Sequence, residues 1–557
     1  MKKTRLAVLL SCTLMTLAAQ SAQYKVVELP TSSLGQSTFP TDINNSGNAT
    51  VNVQNNFNPV IDVSLINFEL QSLIDNLTDI EAAKAGQLND EDYLLLYTFV
   101  TANRENQTFQ QIAQRKSYVS SDSEATLLPA FDLKTITDDE YDGATTTIVR
   151  AINDFGYTVG AGQGGFYQLP FTFEDESERT YVLNDFYRRA FAQVNDNVVA
   201  LLPPDVTAGG LSEAFDINNN NQVVGTGTTA ISSTTFQTSV DNCLDDDERG
   251  DIPAESCLRA LSISLSANPG SFAQRRGLIW QLDAQGNVVS TKTLGLLDTP
   301  ADDDVRTFSG SAVAINDNGI AVGEVSTDTV FKGRTYLNPK AAFYIDDQIL
   351  TINSDSDNYS STATGINNDD IAVGFVQKQI NGVFRRKMFV HDINTDVTSY
   401  PTGFFLGSST VPMSINNNGL VVGYGEIESS ISSRRNEAFL YDTNNDTFMD
   451  IGSLLACDSA YLIQAANGIN DDNEIVATAL KKGKRTNIKG EVVLDSDGAE
   501  IETDVVVAVK LIPIDGGSVE QCEVVDDFNK PRQGAGSAWL LLLGIFGFGL
   551  RRFKFKS

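Results

Sequence analysis

The sequence predicts an all-β protein: a repeat-built β-propeller, with seven four-stranded blades, a small helical insertion and a C-terminal transmembrane helix. Three observations support this fold class. Short runs rich in Val, Ile, Thr, Phe and Tyr, which favour strands, alternate with turns rich in Asn, Asp and Gly. One turn motif occurs seven times, and roughly 50 residues separate its last four copies. A strand pattern also stands near each end of the repeat region.

The repeated motif begins with an Ile-Asn pair at the end of an apolar run. Its seven copies are Ile43-Asn44, Ile152-Asn153, Ile217-Asn218, Ile315-Asn316, Ile366-Asn367, Ile415-Asn416 and Ile469-Asn470. The Asn/Asp/Gly quartet in each copy contains residues that tolerate positive φ, so it predicts a tight hairpin. A β-branched run with glycine, such as Val421-Val422-Gly423, then begins the partner strand, and its glycine permits close backbone approach.

Each unit has a second half that contains an aromatic strand. The clearest examples are residues 276–280, 341–345, 387–391 and 437–441. A polar turn and another apolar segment follow, such as Asp450-Ile451-Gly452, which gives about four strands per unit. Units of this kind must stack to bury both faces, so the pattern favours a propeller, with an open β-solenoid or two packed sandwiches as alternatives.

The two ends of the repeat region are expected to meet in one blade. Residues 24–29 form a strand pattern without a partner of its own, and residues 505–512 form a strong strand near the end of the region. Pairing them would close the ring and protect both strand edges.

Two insertions interrupt the repeat domain, which we place at residues 23–515. Residues 64–104 have helical spacing and predict a helical hairpin in the first blade, either a cap over one propeller face or a peripheral decoration. Residues 228–270 form an acidic insertion that contains two cysteines. Residues 516–535 are expected to be a linker.

The N-terminal residues 1–22 have the features of a signal peptide. Lys2, Lys3 and Arg5 precede an apolar stretch, and small residues follow it up to Ala22. We expect signal peptidase to cleave after Ser21 or Ala22, which makes the chain an exported protein.

The C-terminal residues 536–557 predict a short transmembrane sorting tail. An apolar run interrupted by glycines ends in a basic cluster, which would stay cytoplasmic and leave the body of the protein outside that membrane. The small residues, short helix and basic end resemble the GlyGly-CTERM signal of Gram-negative bacteria. That resemblance implies cleavage by a rhombosortase-type protease and a final location at the cell surface or in the medium. The usual Gly-Gly pair is replaced by Gly534-Ala535-Gly536, and the alternative is a plain inner-membrane anchor facing the periplasm.

The repeat itself resembles the extracellular HAF-type repeat, on the pattern Ile-Asn-(Asn/Asp)-x-Gly-x-x-Val-Gly and its aromatic partner strand. The whole chain resembles an uncharacterised family of exported Gram-negative proteins, a domain of unknown function. The resemblance implies a fold and a location but no established activity.

Four cysteines remain when Cys12, inside the signal, is left out. An even number in an exported protein favours disulfides over metal thiolates. Proximity in the sequence pairs Cys243 with Cys257 and leaves Cys457 with Cys522.

Charge and motifs exclude several function classes. A net charge of −32 repels phosphate backbones, so nucleic acid is not an expected partner. One histidine, His391, is too few for a His-rich zinc site, and we interpret it as a strand residue. The Gly160–Gly165 segment matches GxGxxG, but no helix is predicted after it, as a dinucleotide site would require.

No catalytic residues and no cofactor are predicted, and the chain is more typical of a binding protein than of an enzyme. Acidic runs at 138–140, 245–247, 302–304 and 353–358 offer hard oxygen ligands for Ca²⁺, but none matches a calcium loop and we interpret them as solvated turns. The main hypothesis is an exported module that binds a glycan or an envelope protein. The alternatives are a Ca²⁺-dependent enzyme acting on extracellular polymers and a structural envelope component.

Overall fold

The computed structural model describes residues 23–135, 139–301, 303–352, 358–428 and 434–520. Its strands form seven four-stranded antiparallel sheets, each in the order innermost, second, third and outermost strand, together with one additional hairpin. Each sheet is one blade, so the predicted seven-bladed β-propeller is confirmed. Within the described ranges, no helix combines the length and hydrophobicity that a membrane crossing requires. The predicted signal peptide and sorting tail lie outside those ranges.

The strands follow the chain from blade to blade. The first strand, β1 (Tyr24–Glu28), belongs to the last blade. Blade 1 contains β2 (Gly35–Ile43), β3 (Ala49–Asn56), β4 (Arg115–Ser120) and β5 (Ala125–Leu128). Blade 2 contains β6 (Thr147–Ile152) and β7 (Thr158–Gly162), then the additional hairpin β8 (Tyr167–Thr172) and β9 (Glu178–Leu183), then β10 (Arg189–Val194) and β11 (Asn197–Leu201). Blade 3 contains β12 (Ser212–Ile217), β13 (Gln222–Ile231), β14 (Ala273–Leu282) and β15 (Val288–Thr293).

Blades 4 to 7 continue the same order along the chain. Blade 4 contains β16 (Gly310–Ile315), β17 (Ala321–Phe331), β18 (Arg334–Ile345) and β19 (Gln348–Leu350). Blade 5 contains β20 (Asn358–Ile366), β21 (Ile371–Ile380), β22 (Val383–Asp392) and β23 (Val397–Ser399). Blade 6 contains β24 (Thr410–Ile415), β25 (Leu420–Glu426), β26 (Asn436–Asp442) and β27 (Thr447–Asp450). Blade 7 contains β28 (Tyr461–Ile469), β29 (Ile475–Lys484) and β30 (Glu502–Pro513), with β1 as its outermost strand.

Pairing of β1 with β30 closes the ring, as predicted. The register joins Tyr24 to Pro513 and Glu28 to Val509. Glu28 also accepts hydrogen bonds from Lys481 at 2.5 Å and from Tyr461 at 3.1 Å, so it fixes the N-terminal strand to the inner strands of the same blade.

Most of the core lies between neighbouring blades. The side chains that fill it are those of the predicted aromatic strands, including the fully buried Trp280, Phe343, Phe389 and Phe439. The contact between blades 1 and 2 is partly polar instead. Asn52 donates to the carbonyl of Val149 at 3.0 Å, and the Val149 N–H is shared by the oxygens of Asn52 and Ser117. Because every polar group in this buried network has a partner, the interface avoids the penalty of unsatisfied groups.

The helices lie in two insertions and depart in part from expectation. The insertion between β3 and β4 contains α1 (Gln71–Ile74), α2 (Ile80–Lys84) and α3 (Asp90–Ala102), three helices where a helical hairpin was predicted. Asp92 in the first turn of α3 holds the connection between α1 and α2, because its carboxylate accepts hydrogen bonds from the Thr78 hydroxyl and from the N–H groups of Thr78 and Asp79. The insertion between β13 and β14 contains α4 (Thr234–Leu244), α5 (Asp246–Arg249), α6 (Ala254–Ala267) and α7 (Pro269–Phe272).

The fourth strand of blade 6 also differs from the prediction. We expected a strand at Asp450-Ile451-Gly452, but the strand ends at Asp450, and Ile451–Leu454 forms a 3₁₀ turn. Asp450 caps this turn by accepting the N–H of Gly452 at 2.8 Å. Ile451 is fully buried, so its apolar character reflects the core rather than a strand.

Candidate functional site

The turn after each innermost strand is closed by the asparagine of the repeated motif. In blade 6 the Asn416 side-chain oxygen accepts the N–H groups of Asn418 at 3.1 Å and Leu420 at 2.9 Å. Positive φ occurs only at the fourth residue of each quartet, in all seven blades: Gly47, Gly156, Asn221, Gly319, Asp370, Gly419 and Asn473. The asparagine is therefore needed as an acceptor, not for its tolerance of positive φ.

The side-chain amide groups of the same seven asparagines join neighbouring blades. Each amide donates to the main-chain carbonyl of the corresponding asparagine in the next blade, at 2.9–3.2 Å, and the last bond runs from Asn470 back to Asn44. We call this closed circle of seven hydrogen bonds the inner ring. Its members are almost completely buried, and they are Asn44, Asn153, Asn218, Asn316, Asn367, Asn416 and Asn470.

The next residue of each turn forms a second closed circle, the outer ring. Each residue's N–H donates at 2.8–3.0 Å to the side-chain oxygen of its counterpart in the next blade. The members are Asn45, Asp154, Asn219, Asp317, Asn368, Asn417 and Asp471. Each of the three aspartates accepts two neighbouring asparagine amides, so the carboxylates are compensated within the ring.

A β-bulge at the same position in every innermost strand turns extra side chains toward the axis. The bulged residue lies three positions before the inner-ring asparagine and lines the central channel. These residues are Thr41, Arg150, Phe215, Val313, Thr364, Met413 and Asn467. Bulges commonly redirect side chains at functional sites. Together with the two rings they enclose a channel volume of about 260 Å³.

Two carboxylates lie in the wall of this channel, and each contacts the next blade. Asp42 accepts the N–H of Ile152 at 3.0 Å, and Asp216 accepts the N–H of Ile315 at 2.9 Å. Burial, and then the charge of Asp216, raises the pKa of Asp42 to about 7. Burial raises the pKa of Asp216 to about 6.

We expect Asp42→Asn to stabilise the protein by about 1–3 kcal/mol at pH 8 and to have a much smaller effect at pH 4.5. The pKa in the folded protein lies above the value of about 3.9 for an unfolded chain, so protonation favours the folded state. That contribution is fully present below about pH 4 and is lost as the pH rises through about 7. Asparagine cannot ionise, yet its oxygen still accepts the Ile152 N–H.

Denaturant unfolding of both proteins at the two pH values measures this effect. Asp369→Asn removes an equal charge from an exposed turn and serves as the control. An Asp42→Asn gain that is the same at both pH values, or that Asp369→Asn reproduces, would contradict the assignment.

Arg150 in the channel wall belongs to a group of arginines near Glu213. Arg188 lies 2.9 Å and Arg150 lies 3.9 Å from the Glu213 carboxylate, and Arg150 also stands over the ring of Phe215. Arg115 and Arg275 lie near enough to interact electrostatically with this group. We call Arg115, Arg150, Arg188 and Arg275 the arginine cluster. They come from blades 1, 2 and 3, and no sequence motif connects them, which is why the sequence analysis missed them.

All the long insertions lie at the end of the blades where Arg115 begins β4 and Arg188 precedes β10. They are residues 57–114, 163–188, 232–272 and 485–501, and each connects the second and third strands of its blade. Because the innermost strands end at the asparagine rings, these connections must lie at the opposite end of each antiparallel blade. We call this end the loop face.

The four insertions contact one another in the order of their blades around the ring, from blade 7 through blades 1, 2 and 3. Asn58 donates its N–H to Ile488, and Lys489 pairs with Asp90, which joins the fourth insertion to the first. The Gln107 side chain hydrogen-bonds Ser256 of the third insertion in both directions, at 2.7 and 3.1 Å.

The second insertion completes this arrangement. Its Val182 N–H donates to the Gln107 carbonyl of the first insertion at 2.6 Å. Its Asn184 accepts from Arg259 of the third insertion at 2.9 Å. The insertions therefore form one continuous cap over four blades, while blades 4 and 5 have only short hairpins there.

The residues singled out in the sequence have the following places. His391 is buried in β22, where it stacks on Phe343 at 4.8 Å and its Nδ1 lies 2.9 Å from the Thr398 hydroxyl. Burial lowers the pKa of His391. Gly160 to Gly162 end strand β7, and a β-hairpin follows rather than a helix. Among the described residues, no group of three or more His, Cys, Asp or Glu side chains is arranged to hold a metal ion.

The cysteines agree with the sequence where the structure describes them. Cys243 and Cys257 form a disulfide with a Cα–Cα distance of 5.5 Å. Cys457 is not a free thiol, but Cys522 lies outside the described residues, so that pair stays a prediction. The processing residues Ala22, Gly534, Ala535 and Gly536 also lie outside them.

Comparison with known proteins identifies a family but no activity. A family model described as "Protein of unknown function (DUF3466)" matches residues 2–552. No curated protein matches the chain.

Three solved structures are similar to this chain at the level of fold. An oligogalacturonate lyase in complex with manganese has 11% identity and a TM-score of 0.28, covering 67% of this chain and 97% of its own. The β-propeller domain of the Trilobed protease from Pyrococcus furiosus has 9% identity and a TM-score of 0.28, covering 70% and 95%. TolB from Acinetobacter baumannii has 8% identity and a TM-score of 0.27, covering 73% and 77%. These values carry no argument about ligand or activity.

Proposed function

We propose that this chain, which belongs to the DUF3466 family, is an exported binding module that holds a glycan or an envelope protein on its loop face. The observation that carries the proposal is the continuous cap: four insertions from four adjacent blades contact one another on one face. Binding sites are commonly built on loops that a rigid scaffold positions. A protein that served only as a ring would have no need of such an asymmetric face.

The opposite face of the propeller, where the two asparagine rings lie, is less suited to binding a ligand. There the turns are short, and their polar groups bond to one another in two closed rings. Groups that are already paired have little left to offer a ligand, because a ligand must replace bonds that exist. The loop face has both the longer connections and the arginine cluster.

Export by the predicted signals completes the proposal. Cleavage by signal peptidase after Ser21 or Ala22 would leave β1 intact, since it begins at Tyr24 and the ring needs it. The Cys243–Cys257 disulfide suits an oxidising compartment. We also propose that the turn motif is an HAF-type repeat and that a rhombosortase-type protease cuts the tail near Gly534, Ala535 and Gly536. Before that cut, the tail would attach the protein to the membrane.

The location is tested by the intact mass of the protein from the cell envelope and from the medium. We expect a C-terminus near residues 534–537 and protein accessible from outside the cell. A mature protein that retains Lys556 and Ser557 and is found only in the inner membrane would contradict sorting to the surface.

The binding face is tested by blocking one face at a time. Val383→Cys places a thiol on the loop face. Ser46→Cys places one on the opposite face, where the two asparagine rings lie, which we call the ring face; both positions are exposed. After coupling to a polyethylene glycol maleimide, each full-length protein is titrated with defined polysaccharides and purified envelope proteins. We expect the label at residue 383 to weaken binding at least tenfold and the label at residue 46 to leave it unchanged. The reverse result would place the ligand on the ring face and contradict the proposal.

A further inference from the structure

The arginine cluster is not balanced by the acids around it. Glu213 pairs with Arg188 and Arg150, whereas among the described residues neither Arg115 nor Arg275 forms an ion pair. The Nε of Arg275 is buried without a hydrogen-bond partner. Glu324 is the second acid nearby, and its carboxylate already accepts the Thr362 hydroxyl at 2.6 Å. Four guanidinium groups thus face two carboxylates.

The imbalance has a free-energy cost at Arg275, because its Nε is buried without a partner. Burial lowers the pKa of Arg150, and the neighbouring Arg188 and Arg115 lower it further, against the opposing effect of Glu213. Burial also lowers the pKa of Arg275. Buried charges are normally paired, because an unpaired one loses its hydration without compensation. An anion bound among the arginines would supply the missing partner.

The arginine cluster contrasts with the acidic composition of the chain. The protein has 40 Lys and Arg residues against 72 Asp and Glu residues, so a local excess of basic side chains runs against the overall composition. The overall charge of −32 also disfavours non-specific attraction of polyanions. The cluster is accessible, because the Arg150 side chain is 43% exposed and the Arg188 side chain 39% exposed.

We propose that the arginine cluster binds the carboxylate of a sugar acid in an acidic extracellular polysaccharide. The guanidinium fork matches a planar carboxylate with two parallel hydrogen bonds. A carboxylate offers about four lone-pair positions, so Glu213 and Glu324 keep acceptor sites beside their present partners. These sites would accept hydrogen bonds from the sugar hydroxyls, a role that inorganic phosphate or sulfate would leave unfilled. The proposal names the ligand class for the loop-face binding proposed above and depends on it.

Isothermal titration calorimetry on the full-length protein tests the proposal. The probes are sodium glucuronate, a polyglucuronate oligosaccharide, glucose as the neutral counterpart, and a poly-glutamate peptide as the acidic protein counterpart. We expect both glucuronate ligands to bind, the oligosaccharide more tightly, and glucose to show no heat of binding. Binding of poly-glutamate with equal affinity would overturn the assignment to a sugar.

Arg275→Gln is the informative variant, because Arg275 has no ion-pair partner and its removal leaves no acid unpaired. We expect it to weaken glucuronate binding at least tenfold while the melting temperature stays within a few degrees. Arg334→Gln is the matched control, since Arg334 is an exposed arginine on the blade 4 hairpin of the same face. Equal affinity in wild type and Arg275→Gln would overturn the inference.

The two proposals fail in different ways. A neutral glycan or an envelope protein whose binding is blocked by the label at residue 383 but unaffected by Arg275→Gln would overturn the sugar-acid site and leave the loop-face function standing. Blocking by the label at residue 46 alone would overturn both.

Discussion

Replacing Asn416 by alanine is expected to lower the free energy of unfolding by about 3–5 kcal/mol, since it leaves several buried polar groups without partners. Its amide donates to the carbonyl of Asn470 at 2.9 Å and to the Asn473 side chain at 2.8 Å. Its oxygen accepts the N–H groups of Asn418 and Leu420, which closes the turn. The side chain is almost completely buried, so water does not replace these bonds.

A second variant separates the two roles of this residue. Asn416→Asp keeps the acceptor that closes the turn but replaces the donor with an oxygen facing the Asn470 carbonyl. We expect Asn416→Asp to be as damaging as alanine at pH 8 and less damaging at pH 4, where the carboxyl group carries a proton that it can donate. Chemical denaturation followed by tryptophan fluorescence measures both variants.

Asn417→Ala is the control, because Asn417 makes similar bonds in the outer ring but is exposed to solvent. We expect a loss of about 1 kcal/mol or less, since water can satisfy the released groups. If Asn416→Ala were no more damaging than Asn417→Ala, the inner ring would not be a stabilising feature of this propeller.

Replacing Gly323 by alanine is expected to lower the free energy of unfolding by about 2–4 kcal/mol. Gly323 in β17 faces the bulge of β16, and an added Cβ would lie only 2.1 Å from the carbonyl oxygen of Ser311. Its near neighbours are backbone atoms, so the strand itself must shift. Such a shift would disturb the bulge that directs Val313 toward the channel.

Gly270→Ala provides the comparison for this variant. No atom lies within 4 Å of the Cβ that it would add, and its φ is ordinary. We expect Gly270→Ala to change stability by less than about 1 kcal/mol, with either sign. A Gly323→Ala protein that unfolds at the wild-type midpoint would show that the bulged strand has room to move.

The bulge and the glycine together explain the Val-Val-Gly part of the repeat. Five blades have glycine at this position, and in each an added Cβ would come within about 2 Å of the innermost strand's carbonyl: Gly160, Gly225, Gly323, Gly374 and Gly423. Close approach of the backbones lets the innermost strand bulge, and the bulge places a channel-lining side chain. A local sequence pattern is thus linked to the shape of the central channel.

The sequence by itself determined the features that repeat. Strands, turns and blade number follow from a pattern in which each unit is similar to the next, and ring closure follows from the unpaired strand at 24–29. The Cys243–Cys257 disulfide closes a loop within one insertion. These features depend on residues close together in the chain or related by the repeat, so periodicity and turn chemistry are enough to find them.

Other features were decided by the tertiary structure, even within the repeat. The sequence explained the asparagine quartet by tolerance of positive φ, but only the fourth residue needs it. The first residue is an asparagine because one side chain can accept two N–H groups in its own turn and donate to the next blade. That second bond exists only when neighbouring blades stack, so a single unit gives no sign of it.

The cap and the arginine cluster depend entirely on the closed ring. Arg115, Arg150, Arg188 and Arg275 are separated by tens of residues and share no motif, yet three adjacent blades bring them close enough to interact electrostatically. The four insertions likewise meet because their blades are neighbours on the ring, including blades 7 and 1, which the strand pairing of β1 with β30 joins. Local propensity fixes each blade, whereas the positions of side chains from different blades depend on how the blades stack, and only the folded ring sets that.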